Sequence, residues 1–511
     1  MMRKFNMIAA GVAMGIAGTA NANLDGLVDA TIFMSGASAP SNMLREHIVR
    51  NICDHASTIN VYVDIAKAGT DVAAALPTLE HTEHWVVQCK AAAGTGANLQ
   101  GKDVAIYKSD NGGSGTGTTP VAEATTVTMM NADTANCAFV RAKAIQGGGG
   151  ANYNVYSCGV NDLVQQVPDG GASDVEPNKF TGTLAPAAGS FADLGNLQVK
   201  AGPGLIFGIA ITKAFRDQLQ SDQGLTVGSE SLANMPSLPK SYVASLTQGK
   251  VQRWDGEEPN GDVVNLPATF VGADGIAGTG DDVAAGGFTP FVHLCRRTQG
   301  SGTHAQHMMH YHGTNCIDGD IAMPNQPGLS GGKPAVLENS SSGRLAQCLD
   351  HLDKGDGYAS SVPALAAGRA SFGIGYQSLE KNIALGENWR YVKLDGVAPT
   401  LENAFNGDYD QIYFLSFQNR NDNSYANGPL RTNASKDVAA INAFFNSNLE
   451  IDATVVAEVN QAFVHTFGAS GFLVPSTTAP ASFNINNPKM PYTREAAGGV
   501  ADSCQPLSKK Q

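Results

Sequence analysis

Charge is scarce in this chain. Only 15% of its 511 residues are Asp, Glu, Lys or Arg, and acids outnumber bases 46 to 33. The resulting net charge of −13 leaves no basic footprint of the kind that nucleic acid or an anionic membrane requires. Beyond the N-terminal segment, no apolar run is long enough to cross a bilayer as a helix. The cysteines form no C-x-x-C pair, so zinc-ribbon and thioredoxin chemistry lack their ligands. Gly300-Ser301-Gly302 is not a G-x-S-x-G elbow, and no His/Asp partners can be placed for a serine hydrolase. A phosphatase would need a nucleophile or paired metals, and neither is visible, so the chain reads as a non-enzyme. No tandem repeat of fixed period is present.

What the chain has is length, glycine and an export leader. It is long enough for two or three domains, is 42% hydrophobic and carries 58 glycines, the composition of a loop-rich globular protein. Arg3 and Lys4, the apolar stretch Ile8 to Ala17 and the A-x-A site Ala20-Asn21-Ala22 form a secretory signal over residues 1–22. Its removal takes away two bases, and the net charge goes from −13 to −15. The localisation this implies is periplasmic or extracellular. No cysteine stands at the junction, which argues against a lipid anchor. The eight cysteines all lie in the mature part, an even number that suggests up to four disulfides in an oxidising compartment. Cys137 with Cys158 and Cys295 with Cys316 are the local pairings expected.

Strand-like and helix-like stretches alternate, which argues an α/β architecture. Thr31 to Met34 reads as a strand, Ser35 to Pro40 as a turn, and Ser41 to Val49 as a helix capped by Ser41. Residues 59–65, Val104 to Tyr107, Leu205 to Thr212 and 372–376 read as further strands. Helices are expected around Phe215 to Leu219, from Tyr242 to Trp254, from Val438 to Leu449 and from Val455 to Phe467. Ser109 to Gly117 is a second strand-to-Gly/Ser turn, and Gly171 to Pro177 a third polar turn. The most informative stretch is Arg296 to Thr303, between an apolar run and a helical segment. Glycines let the backbone aim its N–H groups inward, the helix start adds positive dipole, Ser301 and Thr303 add hydroxyls, and Arg297 adds a fork of donors. Together they make an anion cradle.

These motifs, in this order, resemble the periplasmic phosphate-binding proteins of ABC importers and their secreted relatives (PstS-like, type II periplasmic binding proteins). The resemblance rests on Ser35-Gly36-Ala37-Ser38-Ala39-Pro40, Gly171-Ala172-Ser173-Asp174, Gly249 to Asp255, Arg297 to Thr303 and Phe372 to Tyr376. It implies a two-lobed α/β fold closing over a phosphate, with Gly-rich insertions at 65–170 and 256–290. Lobe I would comprise 23–205 plus 400–511 and lobe II 206–399, the chain crossing near Gly202 to Gly204. By position it implies that Ser38 and Ala39 line the first loop, that Arg297 grips two oxygens, and that Ser301, Gly302 and Thr303 donate from the helix start. Asp174 would accept a hydrogen bond from the protonated phosphate, although an Asp in a turn is also a common N-cap. Ser114 matches a further hydroxyl-bearing turn, with Ser109 and Thr116 competing. Two departures stand out. Ala39 replaces an aromatic residue, and Gln299 replaces the acid that orients the arginine.

The expected function is therefore capture of an oxyanion, phosphate foremost, by a monomer that serves an ABC importer or scavenges outside the cell. The competing reading is a secreted structural or surface protein that keeps the fold without tight binding. No cofactor is called for. His304, His307, His310 and His312 lack an intervening acid and read as packing or surface residues rather than a metal site. The acidic Gly loop containing Asp274, Asp281 and Asp282 is a candidate for structural calcium, against a plain solvated loop.

Overall fold

The computed structural model describes residues 24–64, 83–133, 136–145, 148–159, 163–186, 194–254, 269–270, 283–284, 291–316, 334–365, 367, 370–380, 387–462, 465–476, 480–494 and 502–509. The export leader, the loop with Asp274, Asp281 and Asp282, and Asp255 lie outside these residues.

A 15-stranded mixed sheet organises the chain. Its main strands are β1 (Ala30–Gly36), β2 (Asn60–Asp64), β3 (His84–Lys90), β4 (Asp103–Ser109), β5 (Cys137–Ala144) and β6 (Asn152–Cys158). They are followed by β7 (Gly170–Ser173), β8 (Leu197–Thr212), β9 (His293–Arg297), β10 (Ala335–Asn339), β11 (Gly373–Ser378) and β12 (Ile412–Arg420). The order across the sheet is β10-β9-β11-β8-β12-β7-β1-β4-β3-β2-β6-β5. Helices α1 (Ser41–His47), α2 (Lys213–Asp222), α3 (Lys240–Thr247), α4 (Gly302–His312), α5 (Ser342–Lys354), α6 (Val438–Ala443) and α7 (Ala453–Ala462) connect the strands.

The fold is α/β and two-lobed, and β8 is its spine. Residues 197–206 of β8 run antiparallel to β12, and residues 207–211 run antiparallel to β11. One strand thus belongs to two sheet regions, one holding β1, β4 and β7 and the other β9, β10 and β11. Gly202 and Pro203 fall inside β8, where the register with β12 shifts between Ala201 and Gly204. Proline lacks the N–H for a ladder bond, so a bulge accommodates it. Segment 65–170 is more than a peripheral insertion. It supplies β4, whose residues Val104 to Ser109 pair parallel to β1.

β1 is buried on both faces, as a central strand in parallel pairing should be. β7 corrects the expectation of a polar turn. Gly170-Gly171-Ala172-Ser173 is a buried strand, paired with β1 on one side and β12 on the other. Its glycines admit close neighbours: a Cβ on Gly170 would lie 2.3 Å from the Phe445 ring, and one on Gly171 would lie 2.1 Å from the Gly117 carbonyl oxygen. Gly36, at φ +107°, is the third partner. Its Cβ would lie 2.1 Å from the Ala172 carbonyl and 2.7 Å from Gly117 Cα. Gly36 at the end of β1, Gly171 in β7 and Gly117 in the turn after β4 therefore touch backbone to backbone.

Three helix expectations are corrected. Ser41 does not cap α1; Pro40 occupies that position, and the Ser41 hydroxyl is drawn to the Asp110 carboxylate instead. α3 stops at Thr247, because Gly249 turns the chain with φ +70°, and Trp254 packs separately against Phe215. α7 ends at Ala462, short of Phe467. There are four disulfides: Cys53–Cys89, Cys137–Cys158, Cys295–Cys348 and Cys316–Cys504. The expected Cys295–Cys316 pair does not form. Cys348 lies on the buried face of α5 and meets Cys295 of β9, while α4 carries Cys316 away to the C-terminal segment. Four disulfides are the mark of an oxidising compartment. Among the described residues, no helix is long and apolar enough to cross a membrane.

Candidate functional site

The glycine triplet gathers the loops that follow β1, β4 and β7, and β9 ends opposite them. Each loop delivers one polar side chain: Ser38 meets Arg297, and Ser114 and Asp174 meet each other at the start of α4. Arg297, the last residue of β9, comes from the other side and is buried. Its Nη1 donates to the hydroxyls of Ser38 at 3.1 Å and Ser342 at 3.2 Å. Nε donates to the Asn339 carbonyl at 3.2 Å and Nη2 to the Ser340 carbonyl at 2.7 Å. These two carbonyls, at the end of β10, orient the guanidinium. Gln299 is turned away, its amide donating to the Thr183 carbonyl at 2.9 Å, so the lost acid is replaced by backbone.

Asp174 is buried beside the start of α4. Its carboxylate accepts from the Thr303 hydroxyl at 3.3 Å, its N–H donates to the Ser114 hydroxyl at 3.1 Å, and its carbonyl accepts from the Gln306 amide at 2.6 Å. Its Oδ1 has no hydrogen-bond partner, and neither does the buried hydroxyl of Ser301. Ser301 stands at the N-cap of α4 without capping through its side chain. The first N–H groups of that helix have no intrahelical acceptor. Gly302 brings the helix start into contact with both acid and hydroxyl: a Cβ there would lie 2.3 Å from Ser114 Oγ and 2.7 Å from Asp174 Cβ. Gly113 also lies close to the far wall, where its Cβ would meet Ser301 Cα at 3.0 Å and Arg297 Nη2 at 3.2 Å. Between the loops, the Gly115 N–H donates to the Gly300 carbonyl at 2.7 Å.

Burial dominates the electrostatics. It raises Asp174 to a pKa of about 6, although Arg297, the hydroxyls of Thr303 and Ser114, and Lys108 all pull it down. Burial also lowers Arg297 to about 10, against the carboxylates of Asp174, Asp110 and Glu83, which leaves the arginine charged near neutrality. The arrangement thus holds one fixed cation, several O–H and N–H donors, and one carboxyl group that can ionise or hold a proton in the neutral range.

Ser38, Ser114, Asp174, Arg297, Ser301, Gly302 and Thr303 are all brought together. Of the three competing residues on the second turn, Ser114 is the one at Asp174; Thr116 bonds the carbonyls of Asn111 and Gly113. Ala39 is buried in the apolar core and offers the site no side-chain group. Sequence reasoning missed Ser342 and the Asn339 and Ser340 carbonyls. Their signal was present in Asn339-Ser340-Ser341-Ser342-Gly343, another polar turn between an apolar strand and a helix. His304, His307 and His312 are buried; burial lowers His304 to about 3 and His310 to about 4 and holds His307 well below its ordinary value, so the rings of His304, His307 and His310 pack in neutral form. Among the described residues, no group of three or more His, Cys, Asp or Glu could hold a metal ion.

No family model and no curated protein matches the chain. Among solved structures it is similar to a phosphate ABC transporter substrate-binding protein with bound phosphate from Clostridium perfringens, at 15% identity and TM-score 0.26 over 52% of this chain and 70% of that one. It is also similar to an ABC-type phosphate transport receptor from Vibrio cholerae, at 10% identity and TM-score 0.24 over 50% and 69% of the two chains. A third similarity is to PstS from Borrelia burgdorferi, at 9% identity and TM-score 0.27 over 76% of this chain and 87% of that one.

Proposed function

We propose that the chain is an exported binding protein that captures a tetrahedral oxyanion, phosphate being the best fit, without covalent chemistry. The observation that carries this reading is a buried carboxyl, Asp174, that takes the Thr303 hydroxyl and meets Ser114 and the α4 start, with Arg297 alongside holding the Ser38 hydroxyl. Donors on most sides suit an anion, and charge-assisted hydrogen bonds are the strong kind. The single acceptor suits a proton that hydrogenphosphate carries and sulfate lacks near pH 7. Against sulfate, an ionised Asp174 would be a buried charge facing charge, at a cost of several kcal/mol. The lobes in this reading are 23–205 with 400–511, and 206–399. The protein acts as a monomer in the periplasm or outside the cell, delivering its ligand to an ABC importer or scavenging it.

One feature favours the structural or surface reading, in which the fold persists without tight phosphate binding. Val175, Phe180 and Leu184, from the segment after Asp174, form a buried apolar cluster with Ala305, Met308 and Met309 of α4. The Cys316–Cys504 disulfide lies beside it, and Ser503 bonds Glu176. This wall is sealed by apolar contact and a covalent bond, so hinge opening there would expose hydrophobic surface.

Equilibrium dialysis with radiolabelled phosphate separates the readings. The wild type retains phosphate in the presence of excess sulfate, Arg297→Ala retains none, and Asp174→Asn lets sulfate compete. Equal retention by wild type and Arg297→Ala would refute the proposed site.

A further inference from the structure

Behind the first loop lies a buried charged pair, Lys108 and Asp110. The Lys108 side chain is fully buried in β4, beside β1. Its ammonium donates to the carbonyls of Gly36 at 3.2 Å, Ala37 at 3.1 Å and Ser109 at 3.0 Å, and to the Asp110 carboxylate at 2.6 Å. Asp110 in turn accepts from the Ser41 hydroxyl at 2.5 and 2.6 Å, and the Trp85 indole N–H reaches that hydroxyl at 3.4 Å. A buried ion pair is weak evidence for stability, since well-packed apolar residues often serve as well. The placement of this one calls for another explanation.

Peptide geometry supplies it. In a planar trans peptide, the C=O and N–H point in opposite directions. The Gly36 carbonyl faces Lys108, and the N–H of the same peptide, on Ala37, points the other way and donates to the Ala172 carbonyl at 2.8 Å. The next carbonyl, on Ala37, also faces Lys108, so the Ser38 N–H is turned away from the lysine. The Ser38 hydroxyl is on Arg297. The ammonium also polarises the peptides it grips, which makes their N–H groups better donors. Asp110 extends the hold to the second loop: its carbonyl accepts from the Gly113 N–H at 3.1 Å, one residue before Ser114.

The geometry points to Lys108 as the positioning residue of the anion site, clamping the first loop so that Ser38 presents its N–H and hydroxyl beside Arg297, with Asp110 and Ser41 fixing the lysine. This inference rests on the anion-binding reading. It carries an electrostatic signature, because the Lys108 charge is felt at Asp174. The groups facing Asp174 are Arg297 from β9, Thr303 from α4, Ser114 from the second loop and Lys108 from β4, and Asp110 and Glu83 act on Arg297 in turn.

The test uses the full mature chain with Lys108→Met and with the charge-balanced double variant Lys108→Met/Asp110→Asn, which leaves no unpaired buried ion. Thermal unfolding establishes which variants are folded. Two readouts follow: affinity for inorganic phosphate, and the pH midpoint of the Asp174 carboxyl carbon by NMR, which needs no ligand. The expected result is at least a tenfold loss of phosphate affinity together with an upward move of the Asp174 midpoint. Wild-type affinity in a folded double variant would overturn the positioning role. If the wild type takes up no phosphate, the anion reading itself fails. The lysine is then judged on the Asp174 midpoint alone, which rises if its charge reaches the site and stays fixed if it does not.

Discussion

Replacing Gly302 by alanine should separate binding from folding. The new methyl group would lie 2.3 Å from Ser114 Oγ, 2.7 Å from Asp174 Cβ and 2.9 Å from Ser114 Cβ. The hydroxyl can rotate away, but the two Cβ atoms are fixed to their backbones, so α4 and the two loops must move apart by several tenths of an ångström. Overpacking of this kind costs about 1–3 kcal/mol. Alanine returns up to about 1 kcal/mol through its helix propensity. The net loss of stability is therefore small for a chain with four disulfides. Binding should suffer far more, because the methyl group enters the space where the helix start, Ser114 and Asp174 meet. Loss of two hydrogen bonds to a charged ligand, at about 1.5–3 kcal/mol each, predicts a drop in phosphate affinity of at least about a hundredfold. Gly343→Ala at the start of α5 is the control, since its Cβ meets nothing closer than Ser341 Oγ at 3.9 Å. Calorimetric titration and thermal unfolding of both variants provide the readout. Wild-type phosphate affinity in a folded Gly302→Ala protein would refute the geometry of the site.

Other consequences are equally direct. Removing the Cys316–Cys504 bridge, which spans 188 residues, by a double Cys→Ser change should lower unfolding free energy by at most roughly 5 kcal/mol and speed amide exchange at Val175 to Leu184; unchanged exchange would show that the apolar cluster alone seals this wall. Asp174, with a folded pKa of about 6 against an ordinary 3.8, binds its proton more tightly in the native state. The ligand-free protein therefore loses stability from this group as pH rises from about 4 to about 6, by up to roughly 3 kcal/mol. Urea unfolding of wild type and Asp174→Asn should diverge across that window and run parallel above it; parallel curves throughout would contradict the shift. Arg431 grips the buried Asp169 with two bonds of 2.6 and 2.7 Å, so Arg431→Met should cost about 3–5 kcal/mol by leaving that carboxylate uncompensated, with a loss under 1 kcal/mol in chemical unfolding as the contrary result.

What could be read from the sequence was local. The Arg297 to Thr303 cradle was legible because strand end, glycine turn and helix start follow one another within a few residues, and the first loop with Ser38 was legible for the same reason. Three things were hidden because they depend on distant partners. β7 looked like a turn because two glycines in four residues suppress strand propensity, yet Gly117 and Phe445 occupy the space their side chains would need. The role of Lys108 was hidden, since nothing local reveals that the carbonyls of Gly36 and Ala37 lie across from it. The replacement of an acid by Gln299 suggested a loosely held arginine, but the Asn339 and Ser340 carbonyls of a separate strand hold it. Of the two expected cysteine pairs, Cys137–Cys158 forms, and Cys295–Cys316 failed for the same reason: proximity in sequence favoured Cys316, while packing of α5 on β9 favoured Cys348.

The central claim is that the residues converging on Asp174 and Arg297 bind a protonated oxyanion. Calorimetric titration of the mature chain, stripped of bound anion, with phosphate and separately with sulfate tests it most directly. Saturable phosphate binding with a Kd of about 1 μM or tighter, about −8 kcal/mol or more favourable, is the predicted result, with no heat from sulfate. Folded protein that gives no heat with either anion would contradict it.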